Sequence, residues 1–316
     1  MSKWALILVV IASALWSGWW FVGARSTEAA VTQGLAEMEI QGWRIERENL
    51  SVAGFPNRFD VTLTEPRISA PDGWTLAAPI LRAFALSYRP NHIIAVAPPQ
   101  MTVTHPLAGA IDIANADLRA SVIVTPSTRP VLDRATIAAD TLQIAGAEGA
   151  ITLAGGQIAT RQAAGPTVHD LAINFTDMTA PGFDGLIETL DVDATITLDR
   201  AIGSGDPARL DSLNLRSASI AWGDVRATLS GDMSVMFDGT PRGVFALRLT
   251  GWEPFLDRAV AAGVIPEGQA PLVAAGLRGL VDETGEATVP VALEDGFLLV
   301  LGFPVTTVPR LPVPGR

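Results

Sequence analysis

Cysteine is absent from the 316 residues, so disulfides, thiolate metal sites and a cysteine nucleophile are all excluded. Histidine is scarce: His92, His105 and His169 are the whole set, and none stands at the HxxxH or HExxH spacing of a helical metal site. The chain also lacks a GxSxG elbow, a phosphate-binding P-loop, a strand-borne GxGxxG and an EF-hand loop. Charge is thin as well, at 17% of residues, and its balance is acidic, with a formal net charge of −11. Beyond residue 24 there are 21 basic against 33 acidic side chains, which argues against a nucleic-acid partner and against electrostatic adsorption to anionic lipid. Helical periodicity is rare too, and no strand–helix–strand rhythm appears, so a doubly wound α/β fold is not expected.

What is present begins with "WALILVVIASALWSGWWFVGA", residues 4–24, which carries no charge. At about 1.5 Å per residue it can cross a hydrocarbon core of roughly 30 Å. Trp16, Trp19 and Trp20 lie toward its far end, where indole favours the interface, and Lys3 before it favours a cytoplasmic N-terminus. The run is expected to remain as an anchor, residues 1–25, although Val22-Gly23-Ala24 also fits a small-residue cleavage site. Either way the remainder, 26–316, is expected as an exported β-rich domain.

A short helix is expected near 26–41, with Ser26 or Thr27 as its N-cap. A period of two then dominates. Leu190, Val192, Ala194, Ile196 and Leu198 alternate with Asp191, Asp193, Thr195 and Thr197. Phe59-Val61-Leu63, Leu171-Ile173-Phe175 and Phe245-Leu247-Leu249 repeat the pattern between turn-forming clusters. A helical segment near 253–283, split at Ile265-Pro266-Glu267-Gly268, and a C-terminal hairpin near 288–303 turning at Asp295-Gly296 complete the reading. The fold class is therefore mainly β: an extended, curved antiparallel sheet, as half-pipe or sandwich, with few short helices behind one transmembrane helix. So few helices cannot cover the dry face, which leaves either a self-covered core or an apolar trough.

Candidate chemistry is sparse, and neither a catalytic residue, a metal site nor a cofactor is expected. Asp191 and Asp193 share the wet face of a strand. Phe55-Pro56-Asn57-Arg58 and Arg89-Pro90-Asn91-His92 read as two Pro-Asn turns, whose Arg58 and Arg89 could meet a phosphate or a carboxylate. Trp74 and Trp222, on apolar strand faces, serve as core or as contacts for an acyl chain. Upstream, Trp43 and Ile45 are apolar at odd positions but Leu50 and Val52 at even ones, so a bulge is expected near Glu48-Asn49.

"WSGWWFVGAR", "LSVAGFPNRFDVTL", "FALSYRPNHIIAVAP" and "DGFLLVLGFP" together resemble an exported alphaproteobacterial family, domain of unknown function 2125 (DUF2125). That resemblance implies an inner-membrane anchor with a periplasmic body and transfers no catalytic residue. In architecture alone, strands behind one N-terminal helix resemble the AsmA-type envelope proteins, whose curved sheets are associated with lipid handling. The expected function is non-enzymatic: a tethered periplasmic protein holding or passing an apolar ligand such as phospholipid. The alternative is a structural module that docks an envelope protein partner.

Overall fold

The computed structural model describes residues 3–203, 207–261, 263 and 265–312. It is mainly β, and it divides into two compact units, Met1–Ile123 with Gln143–Ala147 and Val124–Leu142 with Glu148–Arg316, where one body over 26–316 was expected.

The first unit opens with α1 (Lys3–Ile40). The helix expected near 26–41 is the second half of α1 and no separate element. Thr27 donates its hydroxyl to the Gly23 carbonyl within the helix instead of capping a new one. From Ser17 to Met38 a stripe at three- and four-residue spacing is partly or fully covered, whereas residues 3–16 are exposed. Ten strands follow: β1 (Arg44–Glu46), β2 (Asn49–Ala53), β3 (Arg58–Thr64), β4 (Arg67–Ser69), β5 (Thr75–Ala77), β6 (Ile80–Leu86), β7 (Arg89–Val96), β8 (Gln100–His105), β9 (Gly109–Ala116) and β10 (Arg119–Val124). Within this unit they pair antiparallel in two orders, β1-β4-β5-β8-β9 and β2-β3-β6-β7-β10.

Consecutive strands thus pass from one sheet to the other part-way along each hairpin arm. The passages fall at Arg47-Glu48, Glu65-Pro66, Ala78-Pro79, Ala97-Pro98-Pro99 and Asp117-Leu118. Proline removes a ladder donor at three of them, and Glu65 (φ 48°) and Asp117 (φ 53°) take left-handed conformations. The phase change near Glu48-Asn49 is therefore a change of sheet and not a bulge within one strand. Apolar positions stay aligned inside each sheet. Val52, Val61, Ala83 and Ala95 share one row of the second, and Ile45, Ile68, Leu76, Val103 and Ile111 one row of the first.

The second unit opens with β11 (Leu132–Ala139) and, after β12 (Thr141–Gly146), most of which belongs to the first unit, continues with β13 (Gly149–Leu153), β14 (Gly155–Gln162), β15 (Val168–Met178), β16 (Ile187–Leu198), β17 (Leu210–Trp222), β18 (Val225–Val235) and β19 (Pro241–Thr250). Two short helices, α2 (Trp252–Ala261) and α3 (Ala270–Arg278), precede β20 (Glu286–Glu294), β21 (Phe297–Val300) and β22 (Phe303–Thr307). β11 and β14 through β22 form ten consecutive places in one antiparallel sheet, from β14 onward in simple chain order. The turn at Asp295 (φ 50°) and Gly296 (φ 81°) joins β20 to β21 as the Asp-Gly pair requires. Of the C-terminal tail, Arg310 pairs with Asp238 and Leu311 donates its backbone N–H to the Gly239 carbonyl, and residues 313–316 lie outside the described residues.

Register puts one apolar row across this sheet: Ile137, Ile158, Ile173, Val192, Ala218, Leu229, Leu247 and Val289. The rows beside it are apolar as well, and their members Ala194, Leu215, Phe245, Ala287 and Val291 form a buried cluster with Val289 and Leu277 of α3. A second cluster joins Ile187, Trp222, Val225, Ala227 and Leu249, with Trp252 and Phe255 of α2 against it. The core therefore sits under the two helices, on the later strands.

Candidate functional site

Trp222 closes β17 and fixes where α2 lies. Its indole N–H donates to the Asp184 carbonyl at 2.7 Å, and the Arg258 guanidinium of α2 stacks on its ring at 4.4 Å while donating to its carbonyl at 2.5 Å. Gly251 (φ 72°) turns the chain from β19 into α2, and a Cβ there would meet the Asp224 carbonyl oxygen at 2.4 Å. Pinned in this way, α2 holds Phe255 over the apolar face. Between Phe255 and the row Leu190, Val192, Ala218, Ile220, Leu229 and Leu247 runs an apolar groove of about 260 Å³.

Toward β11 the same face continues without a helix above it. Ile173 is half-buried, but Ile158 is 38% exposed and Ile137 48% exposed. The pattern that makes core beneath α3 thus makes an open apolar surface at the other end. Alternation gives these residues one face. At this end cover comes in patches without a helix: Leu153 of β13 packs toward Gly156 and Phe175, and Ala139 and His169 are buried, while Ile158 and Ile137 stay open.

The opposite face is wet and neutralises its own charge. β17 bulges at Arg216, with Asp193 opposite Ser217 but Ala194 opposite Leu215, so the guanidinium swings onto the polar side. There it binds Asp193 and Thr195, donates to the Ala194 carbonyl, and lies 3.5 Å from Asp170. The Thr195 hydroxyl, then the Arg161 and Arg216 guanidiniums, hold the Asp170 carboxyl below its ordinary range, and Arg216 does the same for Asp193. Asp191 accepts from the Asn174 amide. Asp191 and Asp193 share the wet face, as alternation requires, and each has its own partner.

In the first unit a broader cleft of about 890 Å³ lies at the sheet passages, lined by Glu46, Arg47, Glu48, Glu65, Arg67 and Asp112 among others. It is larger than the groove, but its walls mix charged and polar side chains with apolar ones, whereas the groove is lined almost wholly by apolar atoms.

The other sequence candidates are dispersed. Arg58 pairs with Asp60 at 2.8 Å and lies over the Phe84 ring. Arg89 is not in a turn. The tight turn is Ser87-Tyr88, and Arg89-Pro90-Asn91-His92 belongs to β7, where a register shift between Ala85 and Leu86 spares Pro90 a ladder bond. The other Pro-Asn turn does form, over Gly54 to Asn57, with Pro56 third and a cis Phe55–Pro56 bond. Register sets Arg58 opposite Leu86, itself opposite Arg89, so the two arginines flank one end of the sheet. Trp74 is 37% exposed and stacks with His105 at 4.5 Å, while Trp222 is buried as structural core. His92 meets the Ser121 hydroxyl at 2.9 Å. His169 is fully buried on the apolar side of β15, opposite Ile196, with neither ring nitrogen hydrogen-bonded. Among the described residues no group of three or more metal-binding side chains forms. Phe255, Ile137 and Ile158 escaped sequence reasoning. The alternation marks their strands or helix, but which apolar positions a helix covers is set by tertiary packing.

The first helix is long and apolar enough to cross a membrane, with mean hydropathy 2.0 over its best window. No curated protein and no solved structure matches the chain. The family described as "Uncharacterized protein conserved in bacteria (DUF2125)" matches residues 20–309, from the last tryptophan of the apolar run to just past the final strand. The match takes in most of both units, and the chain belongs to the DUF2125 family.

Proposed function

We propose that this is a non-enzymatic protein of the bacterial inner membrane, anchored by residues 4–24 with its β-rich units in the periplasm, and that it holds or passes a phospholipid acyl chain along the apolar face of the sheet strands β11 and β14 to β22. The observation that carries this reading is the change along one row of side chains. Val289 is 1% exposed, Leu247 borders a groove beneath Phe255, and Ile158 and Ile137 are open. An acyl chain needs such a lane and no catalytic group. Uncovered apolar surface costs about 25 cal/mol per Å² in water, so a lipid chain laid on it gains what a covering helix would have gained. The anchor supplies proximity to lipid, and the self-paired charges of the wet face leave the dry face as the distinctive surface.

The test is photo-crosslinking of the full chain, in vesicles of phosphatidylethanolamine and phosphatidylglycerol, with a phospholipid carrying a diazirine near its acyl terminus. Adducts on β14–β16 and on Phe255 are expected. Adducts confined to α1, with an unliganded mass in native mass spectrometry, would reject the reading. Capture of a protein on the same face would favour a docking module instead.

A further inference from the structure

The apolar run of α1 is longer than the part of α1 that stands clear of the first unit. Residues 3–15 are exposed, a length of about 20 Å, against the roughly 30 Å of a hydrocarbon core. From Trp16 onward the helix lies against the Gly54–Asn57 turn and the start of β3. The Trp16 indole donates to the Pro56 carbonyl at 3.1 Å and the Trp20 indole to the Arg58 carbonyl at 2.7 Å. Trp20, Ala24 and Phe59 are buried together, and a Cβ on Gly23 would come 2.5 Å from the Phe59 ring. An uncharged segment reaching Ala24 therefore overlaps the end of the sheet by about 10 Å.

That end of the sheet suits a non-aqueous layer. The Gly54 carbonyl accepts from the Asn57 and Arg58 N–H groups, and the Asn57 carbonyl accepts from Ser87 N–H. With the two indole bonds, the carbonyls of Gly54, Pro56, Asn57 and Arg58 all have donors, and Pro56 brings no N–H, which lowers the cost of taking this turn out of water. Its outward side chain is Phe55, 52% exposed, stacked on Phe21 of the helix. The neighbouring turn presents Tyr88, 62% exposed, and Arg58 and Arg89 stand beside them. An aromatic tip with arginines behind it is the side-chain order of a membrane–water interface.

We propose that the 54–57 and 87–88 turns form a second membrane contact, with Phe55 and Tyr88 inserted in the interfacial layer of the leaflet from which α1 emerges and Arg58 and Arg89 level with lipid phosphates. This rests on α1 spanning the bilayer. The first unit is thereby seated on the membrane by its sheet as well as its tether.

The absence of native cysteine makes the test direct. Single cysteines replace Phe55, Tyr88, Val10 or Leu107, the last 92% exposed in the turn after β8. Each full-length variant is labelled with the fluorophore NBD and reconstituted in vesicles of phosphatidylethanolamine and phosphatidylglycerol. Nitroxide lipids then quench it from the headgroup level or the chain end. The labels at 55 and 88 are expected to shift to the blue and lose intensity to the headgroup nitroxide, the label at 10 to lose it to the chain-end nitroxide, and the label at 107 to keep it. Labels at 55 and 88 as bright and as water-accessible as the one at 107, with 10 quenched, would overturn the proposal and leave the anchor standing. Labels shielded from iodide yet unquenched by lipid would overturn it in favour of a protein cover. An unquenched label at 10 would remove the anchor and the proposal together.

Discussion

Leu249 and Ile158 occupy the apolar face of one sheet, and replacing each by threonine should cost very different amounts. Leu249 is 1% exposed, among Ile187, Trp222, Val225 and Ala227. Threonine gives up about two methylene equivalents there, at about 0.8 kcal/mol each. It also buries a hydroxyl with no partner, for about 1–3 kcal/mol more. Leu249→Thr should therefore lose about 3–4 kcal/mol. At Ile158, 38% exposed, the hydroxyl reaches water and only part of the apolar loss applies, so Ile158→Thr should lose about 1 kcal/mol. Urea unfolding of the full chain in detergent micelles, followed by far-ultraviolet circular dichroism, reads both. Equal losses would refute the reasoning: two large ones mean that the β14 end is covered, two small ones that the cluster under α2 is not a core.

Three further outcomes follow from other parts of the sheet. Trp222→Phe should cost about 1–2 kcal/mol through the lost bond to the Asp184 carbonyl and a weaker stack on Arg258, with lipid adducts unchanged; lost adducts at full stability would make Trp222 a ligand contact. Gly231→Val should abolish folding, because a Cβ there would stand 2.3 Å from the Val244 carbonyl oxygen and 2.7 Å from Phe245 Cα, whereas Gly268→Ala, with nothing within 4 Å, should express as wild type; comparable yields would refute the packing. Asp170 and Asp193 titrate below their unfolded value of about 3.9, so their contribution is fully present above that value and disappears as pH falls through the folded values. Acid titration of stability should thus be flat to about pH 4 and steep below, and Arg216→Ala should move the fall to higher pH; an unmoved profile would count against the Arg216 network.

Much of this was legible in the chain. Leu190 to Leu198 forms a strand with the expected faces, Asp295-Gly296 makes its hairpin, and the split at Ile265-Pro266-Glu267-Gly268 separates α2 from α3. What failed was local chemistry overruled by pairing. Arg89-Pro90-Asn91-His92 has the residues of a turn, but Ser87-Tyr88 closes the hairpin first and register carries the rest into β7. The phase change between Ile45 and Leu50 was visible, yet a bulge and a change of sheet leave the same mark in one strand. Only its recurrence between Leu63 and Ile68, Leu76 and Leu81, and Ile113 and Leu118 tells them apart. The groove was least legible, because Val289 and Ile158 carry the same pattern and differ only in what tertiary packing lays above them.

From β15 to β21 each strand of the second unit pairs with the strand before it and the strand after it. Such a sheet has no keystone. A hairpin added or removed between β14 and β19 changes its width by two strands, about 10 Å, and leaves every other pairing and every turn as it was. The length of the apolar lane is then counted in hairpins, so evolution, or an engineer, can lengthen or shorten it in whole units without redesigning the wall.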